Sequence, residues 1–315
     1  MKRVVFIDIA KGIGILLVVA GHNWIILASK GELYRIIYSF HIPLFFILAG
    51  IFFNIEKPFG LIIKEKFTSL LIPYFVTGIL ALVFSAIFIR NTTALSKELF
   101  GLIYATGPHL QWVNLWFLPN LFLVSILCWG CLQLFKRYHL QISAQVFIVT
   151  VFILIGWLTI RMFWGMEFVW ENQPIKINGL PFSADIALLA SAYFLIGYIL
   201  QNWVKSPKNT LVIFIIASTL FIGLHLISNY TTDLNLRRYD MPVIATILAL
   251  AGSAMVLIFS KFIENIRIIG KTLAYLGRNS IVILLYHSFF QDILFSILAE
   301  YSKRFFLYRG YHISG

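Results

Sequence analysis

The sequence predicts an all-α, polytopic transmembrane helix bundle, and three observations carry that prediction. Of 315 residues, 60% are hydrophobic and only 12% are charged, with a mean hydropathy of +0.88. A soluble domain carries about 25% charged residues, so there is too little polar surface here to wet a globule of this size. The apolar stretches run to roughly 18–22 residues, the length that crosses a hydrocarbon core of about 30 Å as a helix. Alternating apolar segments of about 10 residues, the mark of barrel strands, do not occur. In lipid the backbone must satisfy its own polar groups within helices or a closed barrel, and the helical solution fits.

Nine spans are readable within one domain covering residues 1–315. The first, 4–28, follows Met1-Lys2-Arg3 and resembles a signal peptide at its start. Asp8 and Lys11 interrupt its apolar run, and no small-x-small cleavage site follows, so it is read as a retained span. The second and third, 38–54 and 69–89, flank a segment holding Lys57, Lys64 and Lys66. The fourth, 115–134, contains Cys128 and Cys131 as a C-x-x-C; without a second ligand pair this reads as apolar packing, and no disulfide framework or metal is expected. The fifth and sixth, 145–163 and 184–202, are joined by a linker rich in Trp and Pro. The seventh, 210–228, follows the turn Lys205-Ser206-Pro207-Lys208-Asn209, and the eighth and ninth are 242–260 and 280–298.

The net charge of +12 invites a nucleic-acid partner, but the basic residues sit in short clusters between apolar spans, as topology signals do. With the N-terminus inside, 13 Lys and Arg fall on inner segments, among them Lys2, Arg3, Lys136 and Arg278. Only 8 fall on outer loops, among them Arg90, Arg237 and Arg238. This predicts a multi-pass protein of the cell (inner or plasma) membrane with a cytoplasmic N-terminus, contacting lipid and no nucleic acid. Residues 299–315 then lie outside, with Lys303, Arg304 and Arg309 against the charge rule. Either this tail is interfacial or a tenth span is missing from the chain.

Ionisable groups inside spans cost about 2.5–3.5 kcal/mol each and are functional candidates. Lys11 and His22 are eleven residues apart, about three turns at 3.6 residues per turn, so both project from one helix face. Asp8 lies on the same side, within reach of Lys11, and Gly12, Gly14 and Gly21 would admit a neighbouring helix. The competing explanation is that Asp8 and Lys11 sit at the membrane boundary, where Lys snorkels. His41, near the outer end of the second span, should match His22 in depth and supply a base with a partner. His287 in the ninth span is a further candidate, balanced against a purely structural histidine. Lys64 and Lys66 could meet the phosphates of a nucleotide-bearing donor, though topology explains them equally. Trp112 and Trp116 could stack on a sugar, against the alternative of an interfacial aromatic belt.

These residues carry a family resemblance. Asp8-Ile9-Ala10-Lys11-Gly12 through Gly21-His22 resembles the Arg/Lys-x10-His signature of the family-3 membrane acyltransferases. Phe40-His41-Ile42-Pro43-Leu44-Phe45-Phe46 is similar to their second-span motif in the fucose 4-O-acetylase-like branch. Leu70-Leu71-Ile72-Pro73-Tyr74, Leu115-Trp116-Phe117-Leu118, Leu180-Pro181-Phe182 and Gly277-Arg278-Asn279-Ser280 with Tyr286-His287 follow in the family's order. The resemblance implies a ten-helix O-acyltransferase that takes acetyl or another acyl group from acyl-CoA and gives it to an outward-facing glycan or lipid-linked sugar. It also implies His22 as the catalytic histidine, Lys11 as its partner and His41 as a second active-site residue. The family's basic pair before the third-span proline is absent, with Phe67 and Leu70 near its place. The rival from another class is a transporter or flippase of a glycan or lipid-linked sugar. It would more often show an internal repeat, which is not found.

Overall fold

A computed structural model describes residues 4–88, 92–170 and 173–312; Lys2, Arg3 and Arg90, counted above as topology charges, lie outside them. The helices are α1 (Val5–Gly21), α2 (Trp24–Ser29), α3 (Glu32–Ile51), α4 (Phe59–Lys66), α5 (Ile72–Phe88), α6 (Thr92–Tyr104) and α7 (Phe117–Arg137). After them come α8 (Ile142–Thr159), α9 (Ala187–Ile199), α10 (Gln201–Lys205), α11 (Thr210–Ile227), α12 (Pro242–Ile263), α13 (Arg267–Arg278) and α14 (Ser280–His312). A π-helical turn, Phe67–Leu71, joins α4 to α5 directly before Pro73, whose missing N–H cannot close an ordinary α turn.

Among the described residues, seven helices are long and apolar enough to cross a membrane, or eight if the bent pair α13 and α14 is one span. They coincide with the second to eighth spans read from the sequence. The first and ninth differ for local reasons. Helix α1 stops at Gly21 because Asn23 takes an extended backbone and its side chain accepts the Ile25 N–H at 3.0 Å, starting α2 as a separate helix. The ninth span begins at an 82° bend after Arg278, and its helix runs on unbroken to His312, so residues 299–312 continue it instead of forming a separate tail.

The linker between α8 and α9, rich in Trp and Pro, contains an antiparallel hairpin of β1 (Trp164–Trp170) and β2 (Gln173–Asn178). Small residues decide the tightest helix contacts. A side chain at Gly12 would overlap the Leu273 carbonyl, and one at Gly277 would overlap the Asp8 carbonyl, so α1 and α13 pack backbone on backbone. That contact brings Arg278, the last residue of α13, beside the N-terminal half of α1.

Candidate active site

Two cavities lie along α1, one at each end. The first, about 410 Å³, is lined by Asp8 and Lys11 of α1, Lys66 at the end of α4, Ser69 of the π turn, and Arg278 and Ser280 at the α13–α14 bend. The rest of its lining is mostly apolar and includes Ile15, Val18, Phe45, Leu48 and Phe117. Lys11 lies over the Phe52 ring at 5.4 Å and Lys66 over Phe53 at 5.7 Å, so both cations rest on aromatic faces at the cavity wall. Three cations ahead of an apolar slot suit a ligand with an anionic head and a thin uncharged arm.

The second cavity, about 320 Å³, holds His22 at the C-terminus of α1, Tyr34, Tyr38 and His41 of α3, Trp116, and Asp233 and Asn235 from the loop before α12. Ile42 lines both cavities. His41 is buried, and its Nδ1 lies 2.8 Å from the Ile37 carbonyl oxygen. An oxygen that only accepts requires a proton on that nitrogen, so neutral His41 presents a bare Nε2. Tyr38 packs edge-on to His41 at 4.8 Å and stacks on Tyr34 at 4.0 Å. The Tyr34 hydroxyl donates to Asp233 Oδ2 at 2.6 Å. Spacing of four on one helix (34, 38) continued by three (41) puts these rings on a single face.

The loop that supplies Asp233 is held from behind. Asp233 and Arg238 exchange backbone hydrogen bonds of 2.9 and 2.8 Å around a tight turn in which Arg237 has a left-handed backbone, φ 55. The Arg237 guanidinium is fully buried and pairs with Asp185 at 2.7 and 2.9 Å. Gly179, at φ +97, faces that guanidinium so closely that a Cβ would overlap it. Burial pushes the Asp233 carboxyl above its ordinary range, against the opposing hydrogen bonds from Tyr34 and Leu236. Burial, and then the Arg237 charge, hold His109 below its ordinary value; its Nε2 accepts the Asn178 N–H at 3.3 Å, tying the hairpin to the same cap.

A family model described as an acyltransferase domain matches residues 4–309. The chain belongs to the family-3 acyltransferases. No curated protein and no solved structure matches it.

The acyltransferase does not gather all the predicted site residues in one place. Asp8 and Lys11 line one cavity, and His22 and His41 the other, so the shared stripe of α1 is divided between two chambers. Lys66 reaches the first cavity, whereas Lys64 is exposed and outside its lining. Trp116 lines the second cavity; Trp112 is buried 5.8 Å from Phe289 and lines neither. His287 is buried behind His22, their ring centres 5.3 Å apart. Among the lining residues given no site role from sequence are Arg278, named only within a family motif, and Asp233. The first was counted as a topology charge. The second, in a polar loop, carried no sign of being buried.

Proposed function

We propose that this acyltransferase moves an acetyl or similar acyl group from acyl-CoA to a hydroxyl of an exported glycan or lipid-linked sugar. The observation that supports this is the pair of cavities, cationic and apolar at one end of α1 and histidine- and tyrosine-lined at the other, meeting at Ile42. The phosphates of CoA sit among Lys11, Lys66 and Arg278, and the uncharged pantetheine arm lies along the apolar slot toward Ile42. Asp8 beside Lys11 tempers the positive field and orients its ammonium group. With the N-terminus cytoplasmic, as the Lys and Arg bias favours, donor arrives from the cytoplasm and acceptor from the opposite side.

His22 acts as general base. The acceptor O–H gives its proton to His22, the oxygen attacks the thioester carbon, and the C–S bond breaks as the ester C–O bond forms. The departing thiolate then takes the proton from His22, leaving the base as it began. His41 offers its bare Nε2 to a neighbouring hydroxyl of the sugar, and Tyr34, Tyr38 and Trp116 present ring faces to it.

A His22→Ala variant tests the reading. It is expected to insert normally and to lose transfer from labelled acetyl-CoA by about 100-fold or more. Transfer at the wild-type rate would remove His22 from the chemistry. Comparison of surface glycan by NMR with and without the protein identifies the acceptor and the carbon acylated.

A further inference from the structure

His287 does not line the acceptor cavity, yet it is the side chain packed behind His22, and its orientation is fixed. Its Nδ1 lies 3.0 Å from the carbonyl oxygens of both Ile283 and Leu284. Two acceptors at one nitrogen require that nitrogen to carry the proton, so Nε2 of neutral His287 is a bare lone pair. The residue is only 6% exposed, and among the described residues Nε2 has no hydrogen-bond partner. A buried acceptor left without a donor is costly, which marks it as a group awaiting one.

The ring packed against it, and so a candidate donor, is His22. Its ring centre lies 5.3 Å from that of His287, edge to face. No bond joins the two rings as they stand, but the separation matches the span of one N–H···N bond, about 1.2 Å from each ring centre to its nitrogen and about 2.9 Å between nitrogens, so a rotation of the His22 ring would make it. The arrangement is braced. Asn114 Nδ2 donates to the Leu284 carbonyl, Ser288 Oγ donates to Asn114 Oδ1 at 2.6 Å, and Gln291 Nε2 donates to the Val19 carbonyl at 2.8 Å. The first two bonds tie the His287 turn of α14 to the Asn114 turn that precedes α7, and the third ties the next turn of α14 to the end of α1.

We infer that His287 is the positioning residue of the catalytic base: its Nε2 accepts a hydrogen bond from one ring nitrogen of His22 and thereby turns the other, bare nitrogen toward the acceptor hydroxyl. This rests on the acyl-transfer reading of His22. When His22 takes the acceptor proton it becomes an imidazolium with two N–H groups. One stays on His287, and the other returns its proton to the thiolate. His287 itself neither gains nor loses a proton. A neutral imidazole thus does the orienting that a carboxylate does in other triads.

The experiment compares His287→Leu and His287→Gln in detergent-purified full-length protein, with two readouts. In acetyl transfer, His287→Leu is expected to lower kcat by about tenfold or more while the acceptor KM stays within about twofold, because His287 does not touch the acceptor cavity. His287→Gln, whose carbonyl oxygen can accept in place of Nε2, is expected to recover most of that loss. In ¹⁵N-histidine NMR, with no turnover needed, His22 is expected to show one tautomer in the wild type and a mixture in His287→Leu. Wild-type kcat in His287→Leu, a loss confined to KM, a Gln variant no better than Leu, or unchanged His22 nitrogen shifts would each overturn the assignment. Absence of any acyl transfer by the wild-type protein removes the chemistry instead, and the nitrogen shifts still judge the contact.

Discussion

At the residue scale, the buried ion pair between Arg237 and Asp185 lines neither cavity but sits behind the turn that carries Asp233 into the second. Both side chains are fully buried, so truncating one leaves the other charge unpaired in a low dielectric. Arg237→Ala is expected to cost about 3–5 kcal/mol, read as a drop in the thermal unfolding midpoint, and to raise the acceptor KM as the Asp233 turn loosens. At the other cavity, Arg278→Gln and Lys66→Gln are expected to raise the donor KM several-fold while Lys64→Gln, outside the lining, changes it little. Equal effects from Lys64→Gln and Lys66→Gln would show that general positive charge matters, not placement. Lys11, His22 and His41 could be picked out from sequence because an ionisable group in an apolar run is costly wherever the helix goes. Arg278, named only within a family motif, and Asp233 carry no such mark, since each sits in polar surroundings along the chain and reaches its cavity only through distant neighbours.

Among elements, α1 and α13 show how a close approach fixes a site. Their backbones touch at Gly12 and Gly277, and Arg278 follows directly. Gly277→Leu is expected to force the helices apart and weaken donor binding without touching His22. A thermal shift together with labelled-CoA binding would check it. The β1–β2 hairpin is held to the cap partly through His109, whose neutral ring accepts the Asn178 N–H. Its folded pKa lies below the unfolded value of about 6.5, so its contribution is complete above that value and is lost as pH falls through the folded one. Amide exchange across 173–179, corrected for its intrinsic pH dependence, is therefore expected to quicken from pH 7.5 to pH 5, and His109→Gln to flatten that response. The hairpin was not legible in the sequence. Its alternation is short and mixed with Trp, Gly and Pro, which read equally well as a membrane-surface linker.

For the whole molecule, the decisive feature is that two chambers along α1 share one lining residue. Ile42 precedes Pro43 in α3 and lines both. If donor arm and acceptor meet there, Ile42→Trp is expected to abolish transfer while leaving CoA binding at the first cavity and the unfolding midpoint close to wild type. Transfer that survives this bulk would mean the cavities do not communicate through Ile42, and a different donor path would be required.

The sequence alone determined that this chain lies in a membrane as helices, where seven of the nine spans run, that it follows a family-3 acyltransferase pattern, and that Lys11, His22 and His41 are its candidate site residues. Those features follow from a requirement met along the chain itself: in lipid, each segment satisfies its own backbone, and every charge within it stands out. Tertiary structure decided that Lys11 and His22 open into separate cavities, that Arg278 and Asp233 complete them, and that His287 lies behind His22. Those outcomes depend on which small residues let two helices touch and on bonds between positions as far apart as Tyr34 and Asp233. No local pattern encodes such distances.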